Sequence, residues 1–332
     1  MKEKFFLLVK KKLRTSRFFV KVLSLLPSNV LTLRKVHSLT LEVSSACNLR
    51  CVFCPVGNRK IEPHLMDLKT HHKIIDLLPR SIKTIRYSYR GDATLNKNFV
   101  KMIKYAASKG FRTDLSTNGM LIGEYIEELL ESGLGRIIFA IDGATQEVQS
   151  KYRIGSDLEK IKSNIKKLVE EKKKRKAKWP KEIVIQTVVT RYNEDQIPQL
   201  IEMARELGVD KIKFKTLAIH LGPGFLKKEA YHKEFLPRNK NYWRKGQENL
   251  ICPFLWETVI LWNGDVSICC NDYYGEYIAG NVLKENSFEK VVYGKKYNWF
   301  RKKILKKELP ICKSCPITGE YWIPEISRAF NS

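Results

Sequence analysis

The chain has 332 residues, of which 43% are hydrophobic, so it is long enough for a barrel-sized domain with a smaller appendage and too apolar to be disordered. Its formal net charge of +26 favours anionic partners, namely phosphorylated or nucleotide-linked substrates, nucleic acid or an acidic membrane surface, without selecting among them. Eight cysteines in a chain of this length indicate metal sites, since disulfide frameworks are typical of short secreted chains.

Residues 1–37 form a basic and apolar N-terminal extension. The first 36 residues contain ten Lys or Arg and a single acid, Glu3. The longest stretch without charge, residues 22–33, is too short to span a bilayer, and no small-residue cleavage site follows an apolar core. Apolar residues at helical spacing among the lysines predict an amphipathic helix that packs on the rest of the chain, with peripheral membrane contact as the alternative. We therefore expect a cytoplasmic protein.

Strands and helices alternate after residue 38. Strands are predicted at residues 38–44, 82–87, 112–116, 136–141, 182–190 and 211–215. Helices are predicted at residues 68–78, 97–109, 122–132, 158–174 and 194–207. Three of these helices are followed by glycines suited to a C-cap, Gly110, Gly133 and Gly208. The alternation predicts an α/β fold, a partial (β/α)6 TIM-like barrel over residues 38–216, with its chemistry at the carboxyl ends of the strands.

The character of the chain changes after the sixth predicted strand. Residues 217–250 are interpreted as a linker, because glycines and prolines interrupt any regular element there. From residue 251 the sequence becomes richer in Cys, Trp, Tyr and Gly, which indicates a small second module. We place this module at residues 251–320 and a tail at residues 321–332.

Three cysteines follow the first predicted strand with the spacing C-x3-C-x2-C, namely Cys47, Cys51 and Cys54. Thiolates on one short loop can bind three irons of a [4Fe–4S] cluster and leave the fourth iron open to an exchangeable ligand. A structural zinc site would need four ligands, usually as two separated pairs. Phe53 offers an aromatic surface beside such a cluster. The triplet therefore indicates the reactive centre of the protein.

The remaining cysteines lie in the second module. Asn263-Gly264 predicts a tight hairpin between residues 257–261 and 266–269, with a cysteine before it and two at its end. A C-x2-C pair follows later in the chain. Four thiolates could bind a fully ligated [4Fe–4S] cluster or a tetrahedral zinc ion, and the spacing leaves both open. The candidate ligands are Cys252, Cys269, Cys312 and Cys315.

The triplet, directly after the first strand of an αβ barrel, resembles the radical S-adenosylmethionine (SAM) superfamily over about residues 38–216. The resemblance implies that Cys47, Cys51 and Cys54 hold a [4Fe–4S] cluster whose open iron binds SAM through its amino and carboxylate groups. It further implies that one electron from the cluster cleaves SAM and that a 5′-deoxyadenosyl radical abstracts hydrogen from the substrate. An electron donor such as a flavodoxin or a ferredoxin is then expected as a partner.

Further segments resemble motifs of that family in the same order along the chain. Gly91 and Asp92, at the end of the second strand, are similar to a Gly-Gly-Glu-Pro-like motif for the SAM amino group, with aspartate in place of glutamate. Asp142, at the end of the fourth strand, is implied as a contact to SAM or substrate, and its alternative role is to cap the following helix. The family's ribose-binding stretch is resembled by Ser116, Thr117 and Asn118.

The second module resembles the SPASM/twitch domain of the same superfamily. The full form of that domain uses seven cysteines for two auxiliary clusters, and the five cysteines here imply the shortened form with one auxiliary [4Fe–4S] cluster. The distance from Gly264 favours Cys269 over Cys270 as the ligand. A cluster whose four irons are all bound by protein would accept an electron from a substrate radical, which favours net oxidation.

These patterns predict a radical SAM oxidoreductase acting on an anionic small molecule or sugar derivative. A radical SAM maturase that modifies a peptide is the alternative, although the residues before the first strand are few for a separate peptide-recognition domain. A non-catalytic zinc protein that binds nucleic acid is the third hypothesis, and the open triplet and the barrel pattern both argue against it.

Overall fold

The computed structural model describes residues 35–57, 61–218, 233–244, 252, 255–313, 315 and 322–330. The amphipathic helix expected before residue 35 and most of the expected linker lie outside the described residues. Within them, the strands are β1 Ser38–Leu41, β2 Thr84–Tyr87, β3 Arg112–Thr117, β4 Arg136–Ala140, β5 Glu182–Val189, β6 Lys211–Thr216, β7 Glu257–Ile260, β8 Asp265–Ser267, β9 Ile278–Asn281 and β10 Arg328–Ala329.

These strands form one ten-stranded sheet in the order β10-β6-β5-β4-β3-β2-β1-β7-β8-β9. Strands β1 to β6 pair in parallel with their neighbours, which confirms the predicted partial (β/α)6 barrel. Strand β7 also pairs in parallel with β1, with Ser38 opposite Glu257. The predicted hairpin of β7 and β8 therefore continues the sheet of the barrel, and the auxiliary module is attached to the barrel at β1.

Helices lie between the barrel strands at the five places where the periodicity predicted them. The bounds of the helices are α1 Leu68–Asp76, α2 Phe99–Ser108, α3 Ile126–Leu130, α4 Gln146–Tyr152, α5 Leu158–Lys174, α6 Ile197–Glu206, α7 Phe288–Val292, α8 Lys295–Leu305 and α9 Pro310–Lys313. Helices α7, α8 and α9 follow β9 and were not predicted. The helix predicted at 122–132 is instead a 3₁₀ turn, Ile122–Glu124, followed by α3. Helix α4 was not predicted, because seven residues are too few to show a helical period. No helix in the described ranges is long and apolar enough to cross a membrane.

The two faces of the barrel sheet differ in chemistry. On one face, residues such as Leu41, Ile137 and Phe214 are buried in a single hydrophobic cluster with the helices. Because side chains alternate along a strand, the residues between them share the opposite face, the interior of the barrel. That face carries a row of residues in register across β1 to β5, namely Thr40, Arg86, Asp114, Arg136 and Glu182.

A buried histidine in the helix layer makes stability sensitive to acid. The Nε2 atom of His71 lies 3.0 Å from the hydroxyl of Tyr87, which itself donates to the Met102 carbonyl at 3.2 Å. Burial lowers the pKa of His71 to about 3. In the unfolded chain the pKa of His71 is near 6.5. Above about pH 6.5, His71 is neutral in both states and does not reduce the free energy of unfolding. As the pH decreases from about 6.5 towards about 3, only the unfolded chain binds the proton, and the free energy of unfolding falls by about 1.4 kcal/mol per pH unit.

We expect His71→Gln to flatten the dependence of the thermal midpoint on pH between about 6.5 and 4, because this variant has no imidazole to protonate on unfolding. The matched control is His72→Gln. The His72 ring stacks on Tyr105 at 3.8 Å between centroids and is half-buried. A His71→Gln protein with the same acid slope as the wild type would contradict this account.

Candidate active site

The cysteine loop lies at the carboxyl end of β1, and backbone hydrogen bonds hold both of its sides. The Arg50 and Val52 amides donate to the carbonyls of Ile154 and Tyr152, at 2.9 and 3.1 Å. The Asp92 amide donates to the Ala46 carbonyl at 2.8 Å. The loop is therefore fixed by the segment after α4 on one side and by the end of β2 on the other.

The three thiols of this loop are half-buried and close enough to act electrostatically on one another. Burial raises the pKa of Cys47 to about 12 and raises that of Cys51, and the neighbouring thiolates add to both shifts. Asn118 Nδ2 lies 4.0 Å from Cys47 Sγ, and Arg153 Nη1 lies 3.9 Å from Cys51 Sγ. Grouped thiolates with N–H donors aimed at the sulfurs suit an anionic iron–sulfur cluster.

The cysteine loop supplies three thiols as donors, Cys47, Cys51 and Cys54. A structural zinc ion takes four ligands that all reach the same atom at about 2.0–2.3 Å, whereas each cysteine of a cluster binds a different iron. Three thiols on one loop therefore suit a [4Fe–4S] cluster that keeps one iron open.

Asp142 is buried and holds an arginine beside the cysteine loop. Its carboxylate accepts from Arg153 Nε at 2.6 Å and from the Val188 amide at 2.6 Å. The cap of α4 is Thr145, which accepts from the Val148 amide at 3.4 Å, so the alternative that Asp142 caps this helix is wrong. Arg153 was missed by the sequence analysis, because nothing in the local sequence marks an arginine directed back at a loop 100 residues earlier.

We expect Arg153→Met to reduce SAM cleavage by about 100-fold, since the variant removes a charge-assisted donor from a partly desolvated site. The reduction potential of the cluster should also fall, because the positive guanidinium stabilises the added electron. Rates of 5′-deoxyadenosine release and potentiometric titration measure the two effects. Arg50→Met is the control, as Arg50 is an exposed arginine of the same loop. Equal rates for the two variants would show that Arg153 has no special role.

Gly91 and Asp92 join the ends of β2 and β3 to the cysteine loop. Asp92 is buried, and its carboxylate accepts from Thr117 Oγ1 at 3.0 and 3.1 Å and from the Asn118 amide at 2.7 Å. It also accepts from the amide and hydroxyl of Thr94. Several predicted residues are thus brought together here. These hydrogen bonds fix the orientation of the Asp92 carboxylate, and its contact with the SAM amino group stays a prediction.

Two other predicted residues lie on opposite sides of the barrel mouth. Ser116 is half-buried on β3, two residues after Asp114 on the interior face. Phe53 is buried in a separate apolar cluster with Val188, Leu217 and Phe235, and its ring meets that of Phe235 edge-on at 5.0 Å. Phe53 therefore anchors the cysteine loop to the end of β5.

The five C-terminal cysteines converge at the far side of β7 and β8. Burial raises the pKa of Cys270, and the nearby Cys252 and Cys315 raise it further. Burial likewise raises the pKa of Cys312 to about 12, with Cys269 and Cys315 adding to the shift. The pKa of Cys269 is lowered by a hydrogen bond from Cys270. The four predicted ligands are thus near one another and near Cys270, and Cys269 as the ligand stays a prediction.

The contacts of Tyr89 and Arg90 between the two cysteine groups were not predicted from the sequence. Tyr89 donates its hydroxyl to the carbonyls of Asp272 at 2.7 Å and Cys269 at 3.3 Å. The next residue, Arg90, forms a buried bidentate ion pair with Glu42, with both N–O distances at 2.5 Å. Residues 89–92 therefore contact, in succession, the auxiliary cysteines, the end of β1, the cysteine loop and the end of β3.

Comparisons with known proteins agree with this arrangement. The family model of the radical SAM superfamily matches residues 41–204, and that of SPASM, an iron–sulfur cluster-binding domain, matches residues 252–316. The chain is 28% identical over 312 residues to the tungsten-containing aldehyde ferredoxin oxidoreductase cofactor-modifying protein of Pyrococcus furiosus, covering 84% of this chain and 87% of that protein. It is 30% identical over 171 residues to the AdoMet-dependent heme synthase of Methanosarcina barkeri, covering 50% of this chain and 46% of that protein.

Solved structures share the fold. BtrN in complex with AdoMet and 2-DOIA superposes with a TM-score of 0.57 at 18% identity, covering 86% of this chain and 98% of that chain. Native anSMEcpe with bound AdoMet superposes with a TM-score of 0.62 at 18% identity, covering 84% and 88%. At these identities the likeness concerns the fold, which includes both the barrel and the C-terminal extension of its sheet.

Proposed function

The chain belongs to the radical SAM superfamily and carries a SPASM iron–sulfur domain, and from this premise we propose that it abstracts hydrogen from an anionic small molecule and oxidises it. Its cofactors are SAM, a SAM-binding [4Fe–4S] cluster and auxiliary iron–sulfur. One observation supports the oxidation most directly. The two groups of cysteines lie beside strands of one sheet, and segment 89–92 is hydrogen-bonded to the backbone at both groups.

At the mouth of the barrel we assign Cys47, Cys51 and Cys54 as the ligands of the radical-generating cluster. When bound, the cluster and SAM supply a one-electron cleavage whose 5′-deoxyadenosyl product abstracts hydrogen. The residues of the chain would orient SAM and neutralise the negative charge of the cluster. Arg153 places a guanidinium beside Cys51, suited to the SAM carboxylate and to the negative charge of the cluster. The polar groups of Ser116, Thr117 and Asn118 are suited to ribose hydroxyls.

In the SPASM domain we assign Cys252, Cys269, Cys312 and Cys315 as ligands of one auxiliary cluster. With all four irons bound by protein, such a site has no open position for substrate, so its suited role is to take up the electron left after hydrogen abstraction. The hydrogen bonds of Tyr89 to the backbone at Cys269 and Asp272 keep this site at a constant position relative to the barrel mouth. We therefore favour net oxidation over a redox-neutral rearrangement.

The class of substrate is inferred from charge and from one relative. The relative from Pyrococcus furiosus, which aligns over most of both chains, is named for modifying the cofactor of another enzyme. A net charge of +26 favours an anionic substrate. A small anionic metabolite, sugar derivative or cofactor precursor is thus the proposed substrate, with a flavodoxin or a ferredoxin as the proposed electron donor.

The test is the iron, sulfide and zinc content after anaerobic reconstitution, with SAM cleavage assayed on the same sample. We expect about eight irons per chain and release of 5′-deoxyadenosine that requires dithionite. About four irons with one zinc would retain the radical chemistry and remove the case for oxidation. Zinc alone, without SAM cleavage, would overturn the proposed function.

A further inference from the structure

The interior face of the barrel is a charged surface on which most groups are paired. Across its lower part, ion pairs link residues of different strands, and the carboxylates are engaged by arginine or lysine: Arg86–Glu257 at 2.9 Å, Arg136–Asp114 at 2.5 Å and Lys211–Glu182 at 2.5 Å. Nearer the mouth, Glu42 is paired with Arg90, and Asp142 with Arg153. Each of these carboxylates therefore already has a cationic partner within ion-pair distance.

Lys213 is the cation on this face that lacks such a partner. It lies on β6 between Ile212 and Phe214, which are buried against the helices, so Lys213 is on the interior side. Among the described residues it forms no ion pair with a carboxylate, and its Nζ atom lies 5.3 Å from the centre of the Trp322 ring. Burial lowers the pKa of Lys213 most, the positive charges of Arg136 and Lys211 lower it further, and the carboxylates of Glu182 and Asp114 act in the opposite direction. A bound anion would stabilise the charged form of Lys213 further.

The register of the sheet places Lys213 towards the reactive end of the barrel. Lys213 is opposite Gln186, and Gln186 is opposite Ala140, two residues before Asp142. The next interior residue of β6, Lys215, is opposite Val188, which packs against Phe53 of the cysteine loop. Lys211, Lys213 and Lys215 therefore form a row of positive charges along the interior side of β6 that leads towards the cysteine triplet.

We propose that Lys213, with Lys215 beside it on the same face, binds the anionic group of the substrate, a phosphate or a carboxylate. The identity of the bound molecule as substrate rests on the proposed function, whereas anion binding itself does not. An ammonium in a partly desolvated position gains most from a partner of opposite charge, because the Coulomb attraction there is less screened than at the surface. The interior of the barrel would thus hold the anionic end of the substrate while its reacting carbon lies near the mouth.

Site-resolved acetylation of lysines tests the anion site. Reconstituted full-length protein is treated with an amine-acetylating reagent, and the rate at each lysine is followed by mass spectrometry. Inorganic phosphate is expected to slow acetylation of Lys213 about tenfold, the effect of about 1.4 kcal/mol of pairing. Lys104, an exposed residue of α2, should react at an unchanged rate. Equal protection of the two lysines, or none at Lys213, would overturn the proposal.

A variant of Lys213 distinguishes phosphate binding at this site from nonspecific attraction of phosphate to a basic protein. In Lys213→Met, phosphate should no longer protect Lys215, whereas in Lys104→Met the protection of Lys215 should persist. Persistent protection of Lys215 in Lys213→Met would overturn the assignment to this pair. Repeating the series with acetate shows which anionic group the site prefers. Protection at a lower concentration of phosphate than of acetate would indicate a phosphate, and the reverse order would indicate a carboxylate. If wild-type protein cleaves no SAM while Lys213 is protected, the proposed function fails and the anion site stands.

Discussion

Reconstituted Cys51→Ala protein is expected to lose SAM cleavage by at least about 10⁴-fold and to bind about four fewer irons than the wild type. Cys51 is the middle ligand of the proposed triplet and the one beside which Arg153 is held. Without its thiolate, a second iron of the cluster would have no protein ligand, and the positive guanidinium of Arg153 would lose its thiolate partner. Iron analysis and the rate of 5′-deoxyadenosine release measure the two losses.

The matched comparison is Cys315→Ala, in the other cysteine group. It should also lose about four irons, yet its SAM cleavage should exceed that of Cys51→Ala by at least about 100-fold, because its cluster is not the one that binds SAM. The opposite ranking of the two variants would refute our assignment of the two sites. Loss of all iron in both would instead show that the two groups assemble as one unit.

Gly91→Ala is expected to displace the cysteine loop and to destabilise the fold by about 3 kcal/mol or more. A Cβ atom at this position would lie 2.2 Å from the Ala46 carbonyl oxygen and 2.7 Å from that of Ser44. Both contacts are with backbone that also carries the Asp92–Ala46 hydrogen bond, so neither can move without the loop that leads to Cys47. The thermal midpoint and the iron content after reconstitution should therefore fall together.

Gly110→Ala provides the control for this steric effect. Gly110 has a φ of +88°, but a Cβ atom added there would have no heavy atom within 4 Å, so only the conformational cost of about 1 kcal/mol applies. We expect a modest decrease of the thermal midpoint and unchanged iron content. If Gly91→Ala lowered the thermal midpoint and the iron content no more than Gly110→Ala does, the close approach of residues 44–46 and 91 would not be what holds the loop.

The sequence analysis located most of the barrel and both cysteine groups correctly in the chain. The six parallel strands were each predicted within a few residues, and Gly110, Gly133 and Gly208 have the positive φ values that the C-caps require. Helix α4 was missed, and the helix predicted at 122–132 was too long, because short or interrupted helices carry little periodicity. Local patterns are reliable where an element is long enough to repeat its period.

The hydrogen-bond partners of the acidic site residues could not be predicted from the sequence. The sequence did not show that Asp142 holds Arg153, and its contact with SAM or substrate stays a prediction. The sequence also did not show that the Asp92 carboxylate accepts from Thr94, Thr117 and Asn118. The type of a residue and its place at the end of a strand show that it is near the site, but its partners come from other strands.

The barrel, the two cysteine groups and the chemistry that they imply could be predicted from the sequence, because they depend on spacing within short segments. The tertiary structure was needed to show that β7 joins β1 in parallel, that Tyr89 and Arg90 connect the two cysteine groups, and that Lys213 forms no ion pair with a carboxylate among the residues described. These features join residues that are far apart in the chain, such as Tyr89 and Asp272. Such contacts leave no local periodicity in the sequence, since they arise from the order and register of strands in the completed sheet.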